Sequence, residues 1–214
     1  MNTNVFIIGI TPRSGTNFLY EALALHPNCK KTFVKGEDFI LYNSAHLVQY
    51  IEETHVRNQF WNPDISPLKT CLEKGLSDYL SYGHENLAQE DIILCKTPHT
   101  AGIENFTKLF ASSKIIFLVR RGQDASESWI RSWGGRYDWI MRKWSKGAER
   151  ICKFHEDEKK LHNNRFIIVR YEELIVSGEE TIKTILDFCC LDRNLYDFKA
   201  LANMDVYGSS TFNH

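Results

Sequence analysis

Four short apolar runs punctuate the chain, Val5–Ile10, Ile92–Cys95, Ile115–Val119 and Phe166–Val169, and a polar turn follows each. They are apolar at successive rather than alternate positions, so they read as strands buried on both faces, the pattern of a parallel sheet covered by helices. Apolar residues at helical spacing predict helices over Thr16–Leu25, Ala101–Phe110, Asp124–Trp133, Trp139–His162 and Glu179–Cys189, the last set off by Ser177-Gly178. Segment 43–89 is polar and aromatic, carries Asn62-Pro63 and Ser66-Pro67, and has no clear strand. It reads as an insertion of helices and loops beside the sheet. The predicted fold class is α/β, a three-layer sandwich about a central parallel sheet, with residues 1–214 in one domain.

Composition narrows the partners. With 26 Lys and Arg against 27 Asp and Glu the formal net charge is −1, and 43% of the 214 residues are apolar. That is enough to build a core and excludes disordered and fibrous classes. The near-neutral balance argues against nucleic acid or an anionic membrane as the main partner, so any anion site must be local. No apolar run approaches the ~20 residues that span a bilayer. Met1 leads directly into the first apolar run, without a cationic leader, so a cytoplasmic protein is expected. The six cysteines are scattered, with no CxxC and no His/Cys pairing at zinc spacing, so neither a disulfide framework nor a metal site is expected.

In an open parallel sheet, ligands bind outside the carboxyl ends of the strands. Here those ends carry cations: Arg13 after the first run, Lys96 after the second, Arg120 and Arg121 after the third, Arg170 after the fourth. Any one of them has an ordinary reading, with its head in solvent. Together they describe a site for a ligand with several negative charges. The turn Thr11-Pro-Arg-Ser-Gly-Thr-Asn17 lies between a strand and a helix, where backbone N–H groups and a helix N-terminus cradle phosphate. This opening resembles that of the P-loop NTPases but is not a Walker A sequence, since Thr16 stands after Gly15 where a lysine would be needed. A second strand-to-helix turn, from Val119 to Trp129, places Ser128 eight residues beyond Arg120, near enough to fold back on the same anion.

Five motifs in order, TPRSGTNFL, CKTPH, FLVRRGQDASES, VRYEEL and VYGSS, resemble those of the sulfotransferases that use 3′-phosphoadenosine 5′-phosphosulfate (PAPS). The resemblance implies PAPS as donor, adenosine 3′,5′-bisphosphate (PAP) as product, and no metal. It implies that Arg13, Ser14, Gly15, Thr16 and Asn17 hold the 5′-phosphosulfate and that Phe18 lies against the adenine. Arg120 and Ser128 would bind the 3′-phosphate, Tyr171 would contact the adenine, and Ser209 and Ser210, after Gly208, would make a late backbone contact. Many relatives continue past this point with a basic segment, so the chain is either a short member or a truncated one. For Tyr171 a core aromatic at a strand end is the alternative.

Such a transfer needs cations on the leaving phosphate, for which Arg13 and Lys96 are placed, and a base for the acceptor's proton. Two bases are candidates. Glu37 follows the first helix, and His99 follows Lys96-Thr-Pro with an intrinsic pKa suited to neutral pH. Glu37 is preferred, with Asp38 beside it as a further possibility. Trp129, Trp133, Trp139 and Trp144 crowd one helical stretch, as core packing or as the wall of an acceptor pocket. The acceptor, a small molecule, glycan or peptide bearing a hydroxyl or amine, and the oligomeric state are not readable. The rival readings are a P-loop kinase or ATPase, which lacks its lysine and magnesium carboxylate here, and a non-catalytic module that only binds PAPS or PAP.

Overall fold

A computed structural model describes residues 3–34, 36–61, 64–160 and 164–205. Among them five strands alternate with helices in the order β1 (Thr3–Gly9), α1 (Thr16–Leu23), β2 (Cys29–Lys31), α2 (Ala45–Asn58), α3 (Ser66–Leu80), β3 (Ile92–Thr97), α4 (Phe106–Leu109), β4 (Lys114–Val119), α5 (Gly122–Trp133), α6 (Tyr137–Lys160), β5 (Phe166–Arg170), α7 (Tyr171–Val176), α8 (Gly178–Cys189) and α9 (Phe198–Ala202). All pairings are parallel and the strand order is β2-β3-β1-β4-β5. This is the predicted architecture, and the reason is visible along β1. Val5 and Ile7 point into one core with α1, α7 and α8, while Phe6, Ile8 and Ile10 point into the other with α2, α4 and α6. Strands buried on both faces need apolar residues at every position, which is what the sequence supplies.

The second core is aromatic. Phe6 meets Phe106 edge-on at 5.7 Å and Phe117 meets Phe154 at 5.3 Å, pairs that add about 0.5–1.5 kcal/mol each beyond their burial. Segment 43–89 contributes α2 and α3, which pack on this face through Val48, Ile51 and Leu80. Asn4 Nδ2 donates to Ser77 Oγ at 2.8 Å and fastens α3 to the first strand. Pro67 sits in the first turn of α3, where its missing N–H costs nothing. The helix predicted over Ala101–Phe110 is shorter than expected. Residues Ile103–Asn105 form a 3₁₀ turn with bonds such as Asn105 N–H to Gly102 O, and only the single turn of α4 follows. No helix among the described residues is long and apolar enough to cross a membrane.

The topology fixes where a ligand can sit. The connection leaving β1 runs to the α1 face, whereas those leaving its neighbours β3 and β4 run to the opposite face. Loops that part in this way open a crevice at the carboxyl ends of β1, β3 and β4.

Candidate functional site

The loop from β1 to α1 is shaped from within. Ser14 is buried, and its hydroxyl donates to Thr11 O at 2.6 Å while accepting from Thr11 N–H at 3.3 Å. Gly15 caps α1 at φ +95, where a Cβ would strike the ring of Tyr171, so the position demands glycine on both counts. Arg13 itself adopts φ +74, a left-handed conformation that costs a non-glycine residue about 1–2 kcal/mol. That turn presents the Arg13 carbonyl to Arg120, whose Nη1 donates to it at 3.0 Å.

Two guanidinium groups meet here. Arg13 Nε donates to Ser128 Oγ at 3.1 Å, and its head lies over the Trp133 ring at 5.4 Å. Arg120 lies over the Tyr171 ring at 4.5 Å, and its Nε is buried with no acceptor among the described residues. Burial and the neighbouring Arg120 both hold the Arg13 pKa below its ordinary value. Burial raises that of Tyr171, so its phenol stays neutral. Like charges held together and a buried N–H without an acceptor among the described residues suit a bound anion.

The third cation comes from β3. Lys96 is buried, hydrogen-bonded through Nζ to Asn17 Oδ1, and 3.7 Å from Glu37 Oε1. Burial lowers its pKa and Glu37 opposes the shift. The two neighbouring acids are used differently. Asp38 accepts from Lys96 N–H at 2.8 Å, from Ile40 N–H at 3.0 Å and from the Thr97 hydroxyl at 3.4 Å, so it ties its loop to β3. Glu37 leaves a third of its side chain exposed, 34%, and faces the cleft. His99 packs its ring against Tyr42 at 4.9 Å and Phe39 at 5.6 Å, with Nδ1 buried and unpartnered among the described residues. Burial, reinforced by Arg150 and Lys143, lowers its pKa, so the imidazole is neutral at pH 7.

These groups border one cleft of about 480 Å³, whose lining includes Arg13, Gly15, Thr16, Asn17, Phe18 and Glu37, with His99, Arg120, Ser128 and Tyr171 on its other walls. The fold therefore brings together most of the residues singled out from the sequence. Ser14 stands behind the loop, and Lys96 reaches the cleft through Asn17 and Glu37. Arg121 and Arg170 do not converge: Arg121 is exposed, and Arg170 pairs with Glu173 at 4.0 Å. Ser209 and Ser210 lie outside the described residues.

A second cavity of about 710 Å³ adjoins the first, sharing Pro12, Phe39 and His99 with it. Trp129 and Trp139 line this cavity, Trp133 lines the first, and Trp133 and Trp139 are 56% and 46% exposed, so they are walls rather than core. Trp144 differs, donating its Nε1–H to Arg120 O at 2.9 Å and so anchoring α6 to the β4 turn. Phe39, at φ +50 beside His99, belongs to both cavities, and no pattern in the sequence marked it.

Similarity to known proteins agrees with the motif reading. The chain is 27% identical over 202 residues to a protein-tyrosine sulfotransferase of Drosophila melanogaster, a match covering 86% of this chain and 37% of that protein. The chain thus spans little more than a third of that relative's length. A sulfotransferase domain from the curacin biosynthetic pathway superposes with a TM-score of 0.60 at 21% identity, over 91% of this chain and 77% of that one. A mouse sulfotransferase complexed with PAP superposes with a TM-score of 0.52 at 15% identity, over 98% of this chain and 64% of that one. At such identities these structures establish a shared fold. The sequence profile of the sulfotransferase family matches residues 4–194, nearly the whole chain, and on that match the protein belongs to the sulfotransferase family.

Proposed function

We propose that the cleft binds PAPS and that the chain transfers its sulfonate to a hydroxyl or amine of an acceptor entering from the second cavity. The observation that carries this reading is the convergence of Arg13 and Arg120 on one cleft with an aromatic wall, backed by Lys96, which lies behind the lining residues Asn17 and Glu37. In this reading the loop N–H groups, Arg13 and Asn17 face the 5′-phosphosulfate, with Ser14 holding the loop in shape. Arg120 and Ser128 take the 3′-phosphate, and Tyr171 and Phe18 flank the adenine. In the transfer, the bond from sulfur to the bridging phosphate oxygen breaks as the bond from sulfur to the acceptor forms, and the electron pair stays on the phosphate. Lys96 is placed to stabilise that charge, as a preorganised donor whose loss typically costs about 10²–10³ in rate. The family assignment, and the PAP held by the mouse relative of the same fold, support PAP as the product here.

Glu37 is the preferred base because it faces the cleft as a partly exposed carboxylate beside Lys96. Glu37→Gln should lower kcat about 10²–10³-fold while PAP affinity stays within about twofold. His99 is the second reading, favoured by its place on both cavities and by burial that keeps its imidazole neutral. If His99 took the proton, kcat/KM would fall as pH drops through its lowered pKa, below about 6.5, and His99→Gln would abolish that limb. Retention of the acid limb in His99→Gln, with collapse in Glu37→Gln, establishes Glu37; the opposite pair of results establishes His99.

A further inference from the structure

The second cavity has a chemistry of its own. One wall is α6, from which Lys143, Lys146 and Arg150 project at three- and four-residue spacing. These cations span seven residues, about 10 Å of helix. Arg142 also borders the cavity but is committed to Asp138 at 2.7 Å. Lys146 and Arg150 form no ion pair among the described residues, and no carboxylate lines the cavity. The field reaches His99, whose protonation Arg150 and Lys143 both disfavour. The stripe is also held in place. Gly147 lies so close to the carbonyl of Ile10 that a Cβ there would overlap it, which seats α6 against the end of β1. The lining is also aromatic: Trp139 stands on α6 itself, with Lys143 Nζ over its ring at 4.4 Å, and Trp129 from α5 and Tyr42 complete it.

Resting on the assignment of the first cleft to PAPS, we propose that the second cavity selects a small hydroxylated aromatic acid as acceptor: the ring lies among Trp129, Trp139 and Tyr42, and its carboxylate or sulfate is held by Lys146 and Arg150. The volume of about 710 Å³ suits a single compact molecule rather than an extended chain. The hydroxyl would then face His99, at the junction with the first cleft. Exposed cations contribute modestly each, so the selectivity comes from two or three of them acting on one group.

The probe pair is 4-hydroxyphenylacetate and its neutral methyl ester, titrated calorimetrically into PAP-loaded protein. The acid should bind at least about fivefold more tightly than the ester. The double variant Lys146→Gln, Arg150→Gln should erase that advantage while leaving ester binding and PAP affinity within about twofold. Equal affinities for acid and ester, or an advantage that survives the double variant, would overturn the proposal. So would binding of an acidic tyrosine-containing peptide without binding of the acid, which would assign the stripe to a polypeptide acceptor. Failure of PAP itself to bind would instead refute the assignment of the first cleft.

Discussion

Arg120 donates to the carbonyl of Arg13, covers the Tyr171 ring, and keeps a buried Nε free of any acceptor among the described residues. A side chain with its charge half-buried and one donor unspent gains most from an anion that is itself multiply charged. Arg120→Ala should therefore reduce the preference for PAP over adenosine 5′-monophosphate by about 10–100-fold, measured as a ratio of dissociation constants. A ratio unchanged from that of the parent protein would place the 3′-phosphate elsewhere. Arg13, Lys96 and Arg120 were legible in the sequence because each lies at or just beyond the carboxyl end of a buried apolar run, although Lys96 is still within β3 and Arg13 stands four residues past β1. Arg170 and Arg121 were grouped with them because residue type carries no direction. Successive positions at a strand end point to opposite sides, and only the register of β4 against β5 separates Arg120 from Arg170.

Two helices turn these side chains into a site. The middle of α5 brings Ser128 to Arg13, and α6 closes over it, bonded to the β4 turn through Trp144 and pressed against the end of β1 at Gly147. Replacing Gly147 by alanine sets two effects against each other. Alanine favours the helix by about 1 kcal/mol, but the new methyl overlaps a backbone carbonyl that cannot rotate away, and overpacking costs about 1–3 kcal/mol. The overlap wins: Gly147→Ala should lower the urea midpoint and loosen acceptor binding, and a raised midpoint would show that α6 is free to shift. Helices α1, α5, α6 and α8 were legible from apolar spacing, within about two residues at each end, whereas α2 and α3 were read only as part of a segment of helices and loops. Two features were not. The 101–110 stretch has helical spacing but only one α-helical turn, because its first bonds close three residues apart. The tryptophans have a spacing that fits a core and a wall equally well. Their exposure is decided by Gly134-Gly135, which parts α5 from α6 and leaves Trp133 and Trp139 at two helix ends facing the cavities.

For the molecule as a whole, the near-zero net charge conceals a strong local asymmetry. Cations gather at one edge of the sheet and along one stripe of α6, while carboxylates such as Asp187 and Glu179 pair with basic residues on the outside. The parallel order β2-β3-β1-β4-β5 is what permits this, by parting the connections on either side of β1 and leaving the crevice that Arg13 and Arg120 line, with Lys96 behind Asn17 and Glu37. Isothermal titration of the protein with adenosine 3′,5′-bisphosphate in the presence of a metal chelator, beside ATP with magnesium, is the decisive measurement. Binding of the bisphosphate without metal, at least about 100-fold tighter than ATP with magnesium, is the predicted result. Binding of ATP with magnesium in preference to the bisphosphate would contradict it.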